Sequence, residues 1–242
     1  MSGTGYDLST SIYSQDGRIF QVEYANKAIE AEETFIGLKT SQGVVLACEK
    51  IQRSPLESPE SNRRIFALEG TINIGINGRL PDGRLIIARA KKECKGYRKN
   101  FGRTIPISVL VERIANYVHY HTIYAQLRPL GCNIFVSGFE EDRYHLFMVE
   151  NTGIFRSYLG VSSGKGRQIA RNKLEKFNQQ ETIDNGIKTC ALAIAAAHEE
   201  FKEKNYELEM AVISSVNQNR HKLLSLEETN ILRTAAEEIL DQ

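Results

Sequence analysis

The chain has 242 residues, 41% of them hydrophobic and 25% charged, a composition able to bury a sizeable core in one sheet-rich domain. A formal net charge of +1 gives no basis for nucleic acid or an anionic membrane as partner, and no apolar run nears the roughly 20 residues of a membrane-spanning helix. Cys48, Cys94, Cys132 and Cys190 are widely spaced without a Cys-x-x-Cys pair, which fits buried thiols better than a disulfide framework or a zinc site. The Gly/Ser/Thr-rich N-terminus has no apolar segment of secretory type, so an intracellular, reducing location is expected.

In chain order, residues 1–12 read as a polar, glycine-hinged tail that no local force orders. Ser14-Gln15-Asp16-Gly17 carries turn chemistry, and Phe20, Tyr24 and Ala28 then share one face of a helix over 18–32. Thr34–Lys39 and Val44–Cys48 read as strands joined by Thr40-Ser41-Gln42-Gly43, followed by strands over Arg64–Leu68 and Thr71–Asn77. One helix opens near Pro81-Asp82, where Pro suits the first turn and Asp the positive end of the dipole. A second starts at Pro106 with an apolar stripe of Ile107, Leu110, Val111, Ile114, Val118 and Thr122. The period then becomes two: Cys132, Ile134 and Val136 alternate, Glu140-Glu141-Asp142 turns the chain, and Leu146 and Met148 return. Asn151-Thr152-Gly153 turns it again into Ile154–Tyr158. Helices over 166–178 and 182–202, strands near 207–216 and 220–224, and a helix over Leu226–Leu240 complete the order. Hairpin-linked strands alternating with helix pairs predict an α+β fold of antiparallel sheets with helices outside, as one domain over 1–242.

Gly160-Val161-Ser162-Ser163-Gly164 matches the nucleophile-elbow pattern, and Asp184 and His221 (or His198) follow in triad order. The elbow needs a Ser atop a strand of a parallel sheet, with an oxyanion loop upstream. Tight hairpins rule out parallel neighbours here, so a glycine-flanked turn with Ser capping a helix is the simpler reading. A serine hydrolase using Ser162 is the alternative function. Gly160 and Gly164-Lys165 are one residue too close for a phosphate loop. His119 and His121 diverge on a helix, and Lys202 stands where the second ligand of a His198-Glu199 zinc helix would be, so no metal is expected.

Gly5-Tyr6-Asp7, followed by Tyr13-Ser14-Gln15-Asp16-Gly17-Arg18 and Phe20-Gln21-Val22-Glu23-Tyr24, resembles the N-terminal signature of proteasome alpha subunits. Gly78-Arg79-Leu80-Pro81-Asp82-Gly83-Arg84 is similar to that family's G-L-x-x-D-x-R segment, Arg128-Pro129-Leu130-Gly131 to its R-P-[FY]-G turn, and Gly164-Lys165-Gly166 to its G-x-G segment. Leu8 after Tyr6-Asp7, Asn100-Phe101-Gly102 and Glu207-Leu208-Glu209 resemble the alpha-type 3 branch most. The resemblance implies a four-layer αββα sandwich of the N-terminal nucleophile hydrolase fold. It also implies a chain without catalysis: Glu33 stands in mid-chain where catalytic beta relatives begin with threonine.

Further implications follow from the family. The chain would build the heptameric outer ring of the core particle, between alpha-type 6 and alpha-type 1 neighbours, above an inner ring of beta subunits. Thr4, Gly5, Tyr6, Asp7, Gln15 and Tyr24 would serve the substrate gate, with Gln15 where the family usually has the proline that stiffens the turn. Arg64 and Gly78 would line a pocket for the C-termini of a regulatory particle or other activators, Arg64 pairing a carboxylate. No cofactor is implied, the process is ubiquitin-dependent protein degradation, and the location is cytoplasm and nucleus.

Overall fold

The computed structural model describes residues 5–52, 54, 56–201 and 206–240. After helix α1 (Phe20–Glu30), the chain forms β1 (Phe35–Lys39), β2 (Gly43–Ile51), β3 (Ile65–Glu69) and β4 (Ile72–Gly78), then helices α2 (Leu80–Phe101) and α3 (Ile107–Ile123). Strands β5 (Cys132–Glu140), β6 (Arg143–Val149), β7 (Phe155–Ser157) and β8 (Gly160–Ser163) precede α4 (Arg167–Leu174) and α5 (Ile183–Phe201). Strands β9 (Tyr206–Ser214) and β10 (His221–Leu223) and helix α6 (Leu226–Leu240) follow. Two five-stranded antiparallel sheets result, ordered β10-β9-β2-β1-β8 and β3-β4-β5-β6-β7.

Side-chain alternation assigns each sheet two apolar faces. Phe35, Val44 and Leu46 face Phe135, Leu146 and Met148 between the sheets, where the Phe35 and Phe135 rings stack 4.3 Å apart. Ile36, Val45 and Ala47 point the other way, onto α4, α5 and α6. Ile72, Ile74 and Ile76 likewise meet the stripes of α2 and α3. The layers are therefore helix, sheet, sheet, helix, as the resemblance implies. No helix among the described residues is long and apolar enough to cross a membrane.

Local chemistry sets the boundaries. Pro81 occupies the first turn of α2 with Asp82 beside it, and Gly102, at φ 70°, ends that helix with its N–H donating to the Arg98 carbonyl. Glu141 and Asp142 both have positive φ and close β5–β6 as a two-residue primed turn. Three expectations shift. Helix α1 is shorter than 18–32, since Ile19 offers its start no side-chain cap. Helix α4 ends at Leu174 rather than 178. Gly160–Ser163 is a strand rather than a turn, drawn into the sheet by four-residue pairing with β1.

Candidate functional site

Ser14 closes the N-terminal turn: its N–H bonds the carbonyl of Arg18 at 2.9 Å, and its hydroxyl accepts the Arg18 N–H at 3.0 Å. Gly17, at φ 73°, supplies the positive φ that the turn needs. Gln15 sits exposed at the tip, so the hydroxyl of Ser14 fastens a turn that has no proline to shape it. Residues 7–14 are tied to the body. The Thr10 hydroxyl donates to the Tyr124 carbonyl at 3.3 Å, and the Gln21 side chain donates to the Asp7 carbonyl. Tyr24 is exposed on α1, 6.2 Å from the Phe20 ring. Asp7 is thus tied to α1, the helix that carries Tyr24, but among the described residues no hydrogen bond joins the side chains of Tyr6, Asp7, Gln15 and Tyr24. Thr4 lies outside the described residues.

Arg64 and Gly78 do come together. Arg64 Nη1 donates to the Gly78 carbonyl at 2.5 Å, and Nη2 lies 3.4 Å from Glu33 and 3.6 Å from Glu32. The Arg64 and Ile65 N–H groups point at the Glu209 carboxylate, which burial pushes above the usual carboxylate range despite Lys50 at 3.5 Å. A cavity of about 490 Å³ opens here, lined by Glu32, Ser61, Arg64 and Arg79 among others. Gly78 is required: at φ 116° a Cβ would stand 2.3 Å from the Gly131 carbonyl. Beside it, Asp82 accepts two 2.6 Å bonds from Arg128 and one of 2.8 Å from the Gly131 N–H. Burial pushes the Asp82 carboxyl up, and these bonds outweigh it, holding the group below its ordinary range. The Arg-Pro-Leu-Gly turn and the segment opening α2, far apart in sequence, are therefore one structural unit.

Glu33, which the resemblance matches to the N-terminal threonine of catalytic relatives, lies in mid-chain, its carbonyl accepting a 2.6 Å bond from Asn77 and its carboxylate facing Arg64. The neighbouring Thr34 is fully buried, and its hydroxyl has no hydrogen-bond partner among the described residues. A nucleophile needs a base bonded to it; the nearby Glu49 carboxylate takes the Thr34 N–H at 3.2 Å rather than its hydroxyl, and Thr34, inside the chain, carries no free amine. The Ser162 triad is not assembled either. Ser162 faces Ile36 across an antiparallel pair, and its hydroxyl donates to the Arg167 carbonyl at 2.7 Å instead of capping a helix. His198 is held 2.7 Å from Glu49 and His221 2.6 Å from Asn73, so each histidine is committed elsewhere. Among the described residues, no three His, Cys, Asp or Glu side chains gather as a metal site.

Sequence reasoning missed the polar residues that join these parts. Asn77, Asn133, Asn151 and Ser163 form one hydrogen-bonded series beneath α1. Their only sequence signal is single polar residues at the edges of apolar strands.

The family profile described as "Proteasome subunit" matches residues 30–213, and a second profile, for the N-terminal signature of A-type proteasome subunits, matches residues 6–28. Similar relatives include the alpha type-3 proteasome subunit of Dictyostelium discoideum, 43% identical over 93% of this chain and 91% of the relative. The protein of the same name from Arabidopsis thaliana is 39% identical over 99% of this chain and 97% of its own. That from Spinacia oleracea is 41% identical over 99% and 98%.

Proposed function

The chain belongs to the proteasome subunit family as an alpha-type member, and on that premise we propose that it is a non-catalytic ring and gate subunit of the core particle. The observation that carries the reading is the N-terminal signature over residues 6–28, which covers the exposed turn at Gln15 and all but the end of α1. In the proposed role, seven alpha-type subunits form each outer ring, with alpha-type 6 and alpha-type 1 beside this one and beta subunits beneath. The segment before Ser14 contributes to closing the axial pore, in ubiquitin-dependent degradation in cytoplasm and nucleus. The cavity beside Arg64 and Gly78 receives the C-terminus of an activator between neighbouring subunits.

Native mass of the complex recovered through a tag on this chain tests the assembly. A large barrel containing beta-type chains supports it; a monomer or small oligomer overturns it. Deleting residues 2–11 tests the gate: basal peptide hydrolysis by the whole particle is expected to rise. An unchanged rate would make the segment a bystander to closure.

A further inference from the structure

Helix α1 is held by little packing. It lacks a side-chain N-cap, and Ile29 is its single fully buried residue. Beneath it runs a series of five hydrogen bonds. Asn151 Nδ2 donates to the Val22 carbonyl at 3.1 Å, and the Asn151 N–H donates to Asn133 Oδ1 at 3.2 Å. Asn133 Nδ2 donates to Ser163 Oγ at 3.0 Å, Ser163 Oγ to Asn77 Oδ1 at 2.7 Å, and Asn77 Nδ2 to the Glu33 carbonyl at 2.6 Å. Asn77, Asn133, Asn151 and Ser163 are 4%, 8%, 2% and 4% exposed. Each amide of Asn77 and Asn133 donates with nitrogen and accepts with oxygen, and the hydroxyl does both. From the Asn151 N–H the series runs in one direction to the Glu33 carbonyl, while the Asn151 side chain reaches the other way to Val22. Removing Asn77, Asn133 or Ser163 leaves a buried neighbour unsatisfied, and removing the Asn151 side chain releases the Val22 carbonyl alone.

We propose that Asn77, Asn133, Asn151 and Ser163 are positioning residues that clamp α1 at two points, the Val22 carbonyl in its first turn and the Glu33 carbonyl just past its end. Ser163 comes from one sheet and Asn77 and Asn133 from the other, so the clamp refers the helix to both. Its first point adjoins Gln21, which holds the Asp7 carbonyl, and its second adjoins the Glu33–Arg64 ion pair. The clamp thereby sets where the N-terminal segment leaves the body. This rests on the gate reading above.

The test uses assembled particles carrying Asn151→Ala, with Ser163→Ala as a second variant from the other sheet. Basal peptide hydrolysis is expected to rise several-fold, activator-stimulated hydrolysis to stay unchanged, and neither variant to add anything once residues 2–11 are deleted. Where the deletion itself raises the basal rate, a variant whose basal rate equals wild type in assembled particles overturns the proposal. So does an increase that adds to the deletion, since a general loosening would do that. Loss of assembly in both variants also overturns it, because the four side chains would then serve the fold at large. If the deletion alone leaves the rate unchanged, the gate reading falls. The clamp is then judged by hydrogen exchange of the α1 amides, which must quicken in Asn151→Ala; unchanged exchange refutes it.

Discussion

Asp82 and Arg64 lie near one cavity and use charge differently. Asp82 takes a forked pair of bonds from an arginine with an exposed stem and a third from backbone, so its ionised form is the stabilised one. A carboxyl held below its ordinary value stabilises the fold above the unfolded-state value of about 4, and the contribution fades as pH falls through the lower folded value. Asp82→Asn is therefore expected to cost about 2 kcal/mol at neutral pH and progressively less in acid. Denaturant unfolding of the isolated chain at neutral and acid pH measures this; an equal loss at both would show that shape rather than charge matters at Asp82. Arg64 is different. Its side chain is 8% exposed, between Glu32, Glu33 and the Gly78 carbonyl. Arg64→Gln removes the cation facing two half-buried carboxylates and is expected to cost about 1–3 kcal/mol. A thermal midpoint near wild type would mean that water reaches those carboxylates freely and that Arg64 is available to a ligand.

At the scale of elements, the junction between α1, β1 and β8 depends on one glycine. Gly164 has φ 95°, a Cβ there would stand 2.3 Å from the Glu33 carbonyl, and the next N–H, of Lys165, bonds the Glu32 carbonyl at 2.9 Å. Gly164→Ala should push β8 away from the end of α1 with about 1–3 kcal/mol of strain, read as a lower thermal midpoint and weaker amide protection at Lys165. Unchanged protection there would show that the corner yields without strain. Elements of this kind are the ones the sequence conceals. Helices α2, α3 and α6 are legible because Pro81, Pro106, Gly102 and the 3.6-residue stripes act locally. Strand β8 is four residues long and only Val161 in it favours a strand, so its conformation comes from pairing with Phe35–Leu38, more than a hundred residues earlier. Strand β2 runs on past Cys48 through Glu49 and Lys50 because β9 supplies a partner backbone and His198 and Glu207 supply partner side chains. The site divides likewise. The turn at Ser14–Arg18 and the family segments are contiguous and could be read. The convergence of Asp82 on Gly131, of Arg64 on Glu33, and of four polar residues beneath α1 needs the fold.

For the whole molecule, three apolar layers stabilise two sheets that are each covered on both faces. Apolar surface remains outside them. On the α2–α3 layer Leu85, Phe101, Tyr120 and Ile123 are exposed, and on the far side Val216 (77%), Ile231 (71%) and Leu226 stand in solvent. Single exposed apolar residues are ordinary, but groups of them on both outer layers are the mark of a protein that is covered elsewhere. A net charge of +1 provides little repulsion to keep such chains apart. The isolated chain is thus expected to sediment as species heavier than the 27.3 kDa monomer, and added salt should not disperse them, because burial of apolar surface strengthens as ions are excluded. Ile123→Glu and Ile231→Glu divide the two faces: the substitution that restores a monomer marks the surface responsible. Wild-type chain that sediments as a monomer at micromolar concentration would show that these side chains are too dispersed to associate, and that assembly with other proteasome subunits rests on directional polar contacts instead.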